Sequence, residues 1–262
     1  MMEEPGAGAY THANEIYISE NWLEAVHDNE ERYREAFDDT IAHEVFHVLT
    51  RNDRNFKENM YRLIGFTLDS SEPDFSPEVR ERILANPDVE SYDAHATFTI
   101  NGEPTDGVIV SYFDGDYKDG RVMLDSVKTG VVPVDKPDRI VPIEEIPDFY
   151  DVVGHNTDYV IAAEEVLADN FSYAMTYGKD ADYANPELIE GMLEYLSTGK
   201  TTERVTGILE EVAEAQGLSV EELAQEVIKG LWGNGTDRVE ALEGAGYDAG
   251  AVQKEVNEMM GD

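Results

Sequence analysis

Apolar residues recur at intervals of three and four positions in several segments, which is the pattern of amphipathic helices. The longest segment runs from Glu30 to Leu49 and stops at Asn52 and Asp53. Its apolar positions are Tyr33, Phe37, Ile41, Val45 and Val48. Shorter helices are predicted at FKENMYRLIGF, SPEVRERILANP, YVIAAEEVLADNFSYAM and NPELIEGMLEYL. The second of these begins at a Ser-Pro pair and stops at Asn-Pro, which favours a helix between them.

Residues 92–146 change to strand-like runs separated by turns that contain glycine. The runs ATFTING, GVIVSYFDG and GRVMLDSV predict an antiparallel sheet. The alternating stretch NEIYIS near the N-terminus predicts another short strand. Predicted helices come before and after these strands along the chain, and this segregation of helices from one small antiparallel sheet indicates the α+β class.

The chain after residue 200 has a different organisation. Residues 201–218 have the pattern of a polar connecting helix, and Ser219 opens a compact unit. Apolar positions in this unit predict three short helices, and Trp232 and Tyr247 are expected to form much of its small core. We therefore expect a domain at 1–200, a helical linker at 201–218 and a three-helix module at 219–262.

The charge of the chain is strongly negative. Its 262 residues include 57 acidic and 19 basic ones, which gives a net charge of −38. Nucleic acids and anionic membranes are bound by clustered Lys and Arg, so neither is an expected partner. Adaptation to high salt, a solubility role and a cationic partner all remain open as reasons for the acidity.

No segment predicts a membrane span or a secretory signal. No run approaches the roughly 18 apolar residues of a transmembrane helix. The N-terminal MMEEPGAGAY lacks the basic and apolar regions of a signal peptide. The expectation is a protein made in the cytoplasm that, where it acts outside its cell of origin, would leave by non-classical or phage-mediated release.

The stretch HEVFH, in the last turns of the longest helix, has the spacing of a metal site. His43 and His47 are four residues apart, so one helix face can present both imidazoles to one ion. Glu44 is rotated aside, toward the place of a bound water. The chain has no cysteine, so any zinc must be held by His, Asp or Glu.

A second segment, AEEVLADNF, offers the missing ligand. Glu165 can complete a His₂Glu set for one zinc ion per chain and leave the fourth position for water. Asp169, four residues later, can accept a hydrogen bond from the far nitrogen of His43. An acidic chain has many surface glutamates, but the neighbouring apolar residues predict a buried face for this pair. These residues are Val166, Leu167 and Phe171.

The two motifs together resemble the gluzincins, the thermolysin-like zinc metallopeptidases. The resemblance covers about residues 10–200, and its specific part is HEVFH with Glu165 and Asp169. It implies a zincin-like catalytic domain in which His43, His47 and Glu165 bind zinc, Glu44 is the general base and Asp169 orients a histidine. Glu164 departs from the Asn or Gly that usually precedes the third ligand.

A peptidase of this kind also needs a donor for the charge that develops on the carbonyl oxygen. His155 and Tyr159, in VVGHNTDYV just before the Glu165 helix, are the candidates for this role. A turn position for His155 and a core position for Tyr159 are the alternatives. The other three histidines lack partner spacing and are expected to be ordinary; they are His12, His27 and His95.

The segment from Leu223 to Gly261 resembles the WGNG-type cell-wall-binding repeat of certain phage lysozymes and endolysins. The shared landmarks are WGNG at 232–235, Arg238, Leu242 and AGYD at 245–248. The resemblance implies binding of a peptidoglycan muropeptide, with Asn234 and Arg238 as the expected contacts, because amide and guanidinium groups suit its acceptors.

Two functions follow from these features. The first is a zinc metallopeptidase that a peptidoglycan-binding repeat directs to a peptide or protein substrate at the bacterial cell wall. The second is a non-catalytic wall-binding or phage structural protein with a structural zinc site. Glu44 favours the first, because a structural site needs no general base beside its ligands.

Overall fold

The structure is a computed structural model, and it combines helices with antiparallel sheets, as the sequence predicts. None of the helices in its described part is long and apolar enough to cross a membrane. The described residues are 8–114, 127–199, 220–228, 231–232, 238–239, 241–242, 247 and 249–260.

The N-terminal part begins with a hairpin and a short helix. Strand β2 (Glu15–Ile18) is the predicted NEIYIS strand, and it pairs antiparallel with β1 (Ala9–His12). Ala13 turns the chain between them with a left-handed φ of 51°. The apolar pattern predicts neither β1 nor the helix α1 (Glu20–Asp28) that follows the hairpin and is capped by Ser19.

Two predicted helices come next, and the structure confirms both. Helix α2 (Glu30–Asn52) ends at Asp53, whose carboxylate accepts from the Phe56 N–H and so starts α3 (Arg54–Leu63). The buried face of α2 is not the predicted apolar stripe, whose residues are only half-buried. Its fully buried residues are Glu44, Phe46, His47 and Thr50.

The third predicted helix, SPEVRERILANP, is wrong beyond its first turn. Ser76 caps α4 as predicted, but the helix covers only Pro77–Arg80. The chain then runs beside the sheet, and the N–H of Leu84 donates to the carbonyl of Ser111 over 3.0 Å. Strand backbone thus takes the hydrogen bonds that a longer helix would have made internally.

Among the described residues, the main sheet has five antiparallel strands in the order β3-β4-β5-β6-β7. They are β3 (Thr67–Leu68), β4 (Ala94–Ile100), β5 (Glu103–Phe113), β6 (Val127–Pro133) and β7 (Val141–Pro142). Asn101 and Gly102 form the β4–β5 turn with φ values of 56° and 83°, which suit this residue pair. The predicted strand GRVMLDSV lies outside the described residues except for Val127, where β6 begins.

Helices α5 (Phe149–Val153), α6 (Ala163–Thr176) and α7 (Pro186–Thr198) complete this part of the chain. One-turn 3-10 segments lie at Ile143–Glu145 and Gly178–Asp180. Helices α6 and α7 are the two that the apolar pattern predicts. Most of α6 is buried in a core that α2, α3, α7 and one face of the sheet share.

The C-terminal segment has a core of its own. Helix α8 (Val220–Ile228) packs against α9 (Ala249–Met260), and the described residues 238–239 and 241–242 between them are helical. Trp232 is buried and meets Tyr247 edge-on, with ring centroids 6.0 Å apart, as predicted for core aromatics. The predicted linker at 201–218 lies outside the described residues.

Candidate metal centre and C-terminal repeat

Helices α2 and α6 pack together and bring the two predicted motifs into contact. His43 and His47 share one face of α2, because residues four apart on a helix are neighbours. Phe46 points to the same side and packs against Phe171 of α6, with ring centroids 5.4 Å apart. This apolar contact helps to place Glu165 of α6 opposite the two histidines of α2.

His43, His47 and Glu165 form a group that could hold a metal ion, since one ligand atom from each lies within 4.8 Å of the others. Glu165 Oε2 is 3.0 Å from Nε2 of His43 and 3.7 Å from Nε2 of His47. His47 and Glu165 are fully buried, and His43 is partly so. Two imidazoles and one carboxylate are a donor set suited to a divalent transition metal.

One atom of this group is unusual for a protein interior. His47 Nε2 is buried and has no hydrogen-bond partner among the described residues. Leaving a buried polar atom unpaired costs about 1–3 kcal/mol, so such atoms are rare and call for an explanation. A nitrogen lone pair that points at a metal position is one.

The other ring nitrogens are held by carboxylates of α6. His43 Nδ1 lies 2.9 Å from Asp169 Oδ1, which is the contact that the sequence suggests. His47 Nδ1 lies 3.2 Å from Glu164 Oε1, and this second pair was not predicted. When the ring is neutral, a carboxylate at Nδ1 favours the tautomer with its proton there, so that Nε2 would be free to bind a metal ion.

The charges of the cluster shift its pKa values. Burial alone would lower the pKa of His43, but hydrogen bonds to Asp169 and Glu165 and their charges raise it to about 10. Burial alone would likewise raise the pKa of Glu164, yet its bond to His47 and further hydroxyl donors lower it. Without an ion, the neighbouring carboxylates therefore favour the protonated form of His43 and of His47, whose pKa values they raise.

Glu44 is buried beside the group, as its predicted role requires. Its Oε2 accepts a 2.7 Å hydrogen bond from the hydroxyl of Thr11 in β1. Ligand atoms of Glu44, His47 and Asp88 lie within 4.8 Å of one another. The N–H of Thr11 donates to Asp88 over 2.6 Å, so this one residue holds both carboxylates on the same side of His47.

Residues 86–88 form a loop that no sequence motif connects with the site. The side-chain amide of Asn86 donates to Glu165 Oε1, and its oxygen accepts from the N–H of Asp88. Burial raises the pKa of Asp88 to about 6, and the charges of Glu165 and Glu44 contribute to this rise. The loop thus positions Glu165, the carboxylate of the metal group, and adds the carboxylate of Asp88 nearby.

Tyr159 lies at the edge of the group, with its ring centroid 6.2 Å from that of His43. About 44% of it is exposed, so the predicted core position does not apply. Partial burial and the charges of nearby carboxylates, that of Glu165 first, raise its pKa. The hydroxyl therefore keeps its proton and can donate a hydrogen bond at neutral pH.

His155, the other candidate donor, lies beside Tyr150 and Asn185. Its exposed ring stacks on Tyr150, with centroids 5.4 Å apart, and its backbone N–H donates to Asn185. None of the described contacts joins it to His43 or Glu165. The described residues therefore give no contact that supports its predicted role as a donor, and they place it in a turn. Gly154 places this turn after α5 with a φ of 86°.

The C-terminal segment carries a separate groove of about 370 Å³. Arg238 lines it and donates to Gln253 of α9 over 2.6 Å. The remaining lining is mostly apolar and includes Val227, Val239 and Val252. Arg238 therefore sits at the polar rim of an apolar groove. Asn234, the other predicted contact, lies outside the described residues.

Comparison with known proteins identifies this segment. The family model described as the CW_7 repeat matches residues 221–260. These residues are a CW_7 repeat. A lysozyme of Streptococcus phage Cp-7 is 56% identical over 41 residues, which make up 16% of this chain and 12% of the phage protein. The predicted WGNG-type repeat is thereby confirmed, while the similarity spans only a small part of either protein. No solved structure matches the chain.

The sequence does not predict several of the residues that surround the metal group, for reasons that can be identified. Thr11 belongs to a strand that its short sequence does not reveal, and Asn86 with Pro87 marks only the end of a predicted helix, directly before Asp88. Glu164 gave a signal, because a Glu-Glu pair inside an otherwise apolar helix needs partners for both carboxylates. Thr157, whose hydroxyl donates to Asp169, lies in the loop that suggested His155 and Tyr159.

Proposed function

We propose that this protein is a zinc-dependent peptide-bond hydrolase that its CW_7 repeat directs to the bacterial cell wall. The observation that carries the proposal is the convergence of His43, His47 and Glu165, with Glu44 buried beside them. Residues 1–200 would form the zincin-like catalytic domain and 219–262 the wall-binding module. The relation to gluzincins is part of this proposal.

The donor atoms fit a zinc ion well. Ligands that bind zinc tetrahedrally at about 2.0–2.2 Å lie about 3.3–3.6 Å from one another. The separations of Glu165 Oε2 from the two Nε2 atoms, 3.0 and 3.7 Å, bracket that range. The unpaired, buried Nε2 of His47 supports the same assignment. His43, His47 and Glu165 would hold one zinc ion per chain.

The roles of the other residues follow from their contacts. Bound zinc would lower the pKa of its water, so that a nucleophilic hydroxide is available near neutral pH, and it would polarise the substrate carbonyl. Glu44, kept in place by Thr11, would accept the proton of that water and pass it to the leaving amine. Tyr159, which stays protonated, would donate to the carbonyl oxygen as negative charge develops there.

The CW_7 repeat supports the choice of target. Its similarity to part of a phage lysozyme makes peptidoglycan the expected partner. The groove beside Arg238 can combine apolar contact with hydrogen bonds to amide and carboxylate oxygens of a muropeptide. A single repeat offers no avidity, so the binding would be weak and reversible. Peptide stems of the wall and proteins attached to it are the substrates within reach.

A second candidate is a non-catalytic wall-binding protein with a structural metal site. Asp88 favours it, because a carboxylate this close to His47 could act as a fourth protein ligand and close the site to water. Glu44 favours the hydrolase, because its buried carboxylate beside the ligands has a use only when water reacts there. Hydrolysis assays separate the two.

The test uses zinc-loaded wild-type protein and the variant Glu44→Gln, with casein and purified peptidoglycan as substrates. We expect hydrolysis by the wild type, and loss of most of it in the variant at unchanged zinc content. If the variant keeps turnover within about tenfold of wild type, or about 1.4 kcal/mol, Glu44 is not the general base. A wild type that binds zinc and cleaves neither substrate would favour the structural site.

A further inference from the structure

Glu164 is the least expected member of the cluster around the metal group. It is buried, with 6% of its surface exposed, and lies directly before the proposed ligand Glu165. Three donors surround its carboxylate: His47 Nδ1 at 3.2 Å, the hydroxyl of Thr50 at 2.5 Å and the hydroxyl of Tyr61. They come from two helices, α2 and α3, so the carboxylate is fixed from several sides.

A neutral side chain would be enough to hold the ring of His47 in place. An amide oxygen could accept the Nδ1 proton and leave Nε2 free in the same way. A buried carboxylate costs far more to desolvate than an amide, and the protein offsets this with two hydroxyl donors. The retained negative charge therefore calls for a role beyond orientation.

That role follows from the position of the charge. A carboxylate that accepts the Nδ1 proton increases the electron density of the imidazole and makes Nε2 a stronger metal donor. Burial strengthens the effect, since little water screens the pair. Asp169 acts on His43 in the same way, so both histidines would be strengthened from the same helix.

We propose that Glu164 is a positioning residue that sets the affinity of the site for its metal through its charge on His47. Thr50 and Tyr61 hold that charge in place. The inference rests on the metal site of the proposed function, although it is independent of whether the protein hydrolyses peptides.

The variant Glu164→Gln separates charge from shape. Glutamine keeps the length of the side chain and an oxygen for His47 Nδ1 and the hydroxyl of Thr50, and the hydroxyl of Tyr61 can turn to accept from its amide. Tyr61→Phe removes one donor and leaves the charge. Glu58→Gln is a matched control, because Glu58 is also a buried glutamate but pairs with Arg54 on α3.

The measurement is the dissociation constant for Zn²⁺, obtained by competition with a chelator, with folding checked by circular dichroism. We expect it to rise about 10- to 100-fold in Glu164→Gln, which is the usual effect of losing such a partner. Tyr61→Phe should shift it in the same direction by less, and Glu58→Gln should leave it unchanged. The visible spectrum of the Co²⁺-loaded Gln variant should match wild type, because the ligands are the same.

Two results would overturn the inference, and they differ in scope. If wild type binds Zn²⁺ and Glu164→Gln binds it equally well, the charge has no role and the proposed hydrolase is untouched. If wild type binds no Zn²⁺, the metal site itself is wrong and the proposed function falls too. Should the Gln variant not fold, an unchanged dissociation constant in Tyr61→Phe still counts against the proposal.

Discussion

Thr11 and Glu44 form a buried hydrogen bond of 2.7 Å between the N-terminal hairpin and helix α2. The same hydroxyl also lies 3.2 Å from the backbone carbonyl of Glu44. A glutamate has three rotatable bonds, so a general base needs such a contact to keep its carboxylate in one position. Strand β1 therefore belongs to the proposed catalytic site, although it is far from α2 in the sequence.

Replacing this hydroxyl tests its role in catalysis. We predict that Thr11→Val lowers the turnover of a confirmed peptide substrate by about tenfold or more, because Glu44 loses its anchor. The zinc content should not change, since neither residue is a proposed ligand. Thr11→Ser keeps the hydroxyl and should retain most of the activity. Equal turnover in Thr11→Val and Thr11→Ser would show that the bond is only structural.

The metal-free protein should lose stability in alkaline solution. The folded-state pKa of His43 is about 10, above its ordinary value of 6.5, because Asp169 and Glu165 outweigh the effect of burial. The stabilisation by protonated His43 is thus complete below about pH 6.5 and is lost as the pH rises toward 10. Thermal melts at a series of pH values should show a falling melting temperature over this range.

Two comparisons check this pH dependence. The zinc-loaded protein should not share the fall, because the ion holds His43 deprotonated at every pH of the series. His43→Gln should show less of it than His155→Gln, in which an exposed histidine far from the cluster is replaced. A fall of the same size in the metal-free and zinc-loaded proteins would contradict the pKa assignment.

The CW_7 repeat leads to a prediction about binding. In sedimentation with purified peptidoglycan, we expect the full chain to bind and Arg238→Ala to bind several-fold less, at an unchanged melting temperature. Lys254→Ala removes the same charge from α9 outside the groove lining and should bind like wild type. If both variants lose binding equally, the net charge of the repeat matters and the groove does not.

Trp232 should matter for stability instead. It is 6% exposed, and its indole N–H donates to Glu226 over 2.7 Å. Trp232→Ala should destabilise the repeat by about 3–5 kcal/mol, as expected when a large side chain is removed from a core and leaves a cavity. Denaturant unfolding of the full chain should show a lower midpoint for the repeat. An unchanged unfolding curve would mean that Trp232 is available for ligand binding.

Local sequence patterns were sufficient to predict that His43, His47 and Glu165 converge, because the residues concerned lie in pairs on two helices. The i, i+4 spacings of His43 with His47 and of Glu165 with Asp169 put each pair on one face. The contact between the two faces could only be inferred from the apolar residues around Glu165. The structure brings them together through the packing of Phe46 on Phe171.

Patterns failed where long-range contacts decide the structure. The apolar stripe of α2 suggests a buried face at Val45 and Val48, yet the residues buried most completely include Glu44 and His47. Polar residues that have partners on another element can be buried in place of apolar ones, and a helical-wheel pattern does not show those partners. The sequence pattern extends a helix as far as Asn86 for the same reason, since it does not show the backbone hydrogen bonds to β5 that follow the early end of α4.

The central claim is that His43, His47 and Glu165 bind one zinc ion per chain. The most direct measurement is elemental analysis of the protein after gentle purification and after reconstitution with Zn²⁺ and gel filtration. We expect one equivalent of zinc in wild type and in Glu44→Gln, and much less in His47→Ala and Glu165→Ala. Wild-type protein without stoichiometric zinc, before and after reconstitution, would contradict the claim, and so would full zinc content in the two ligand variants.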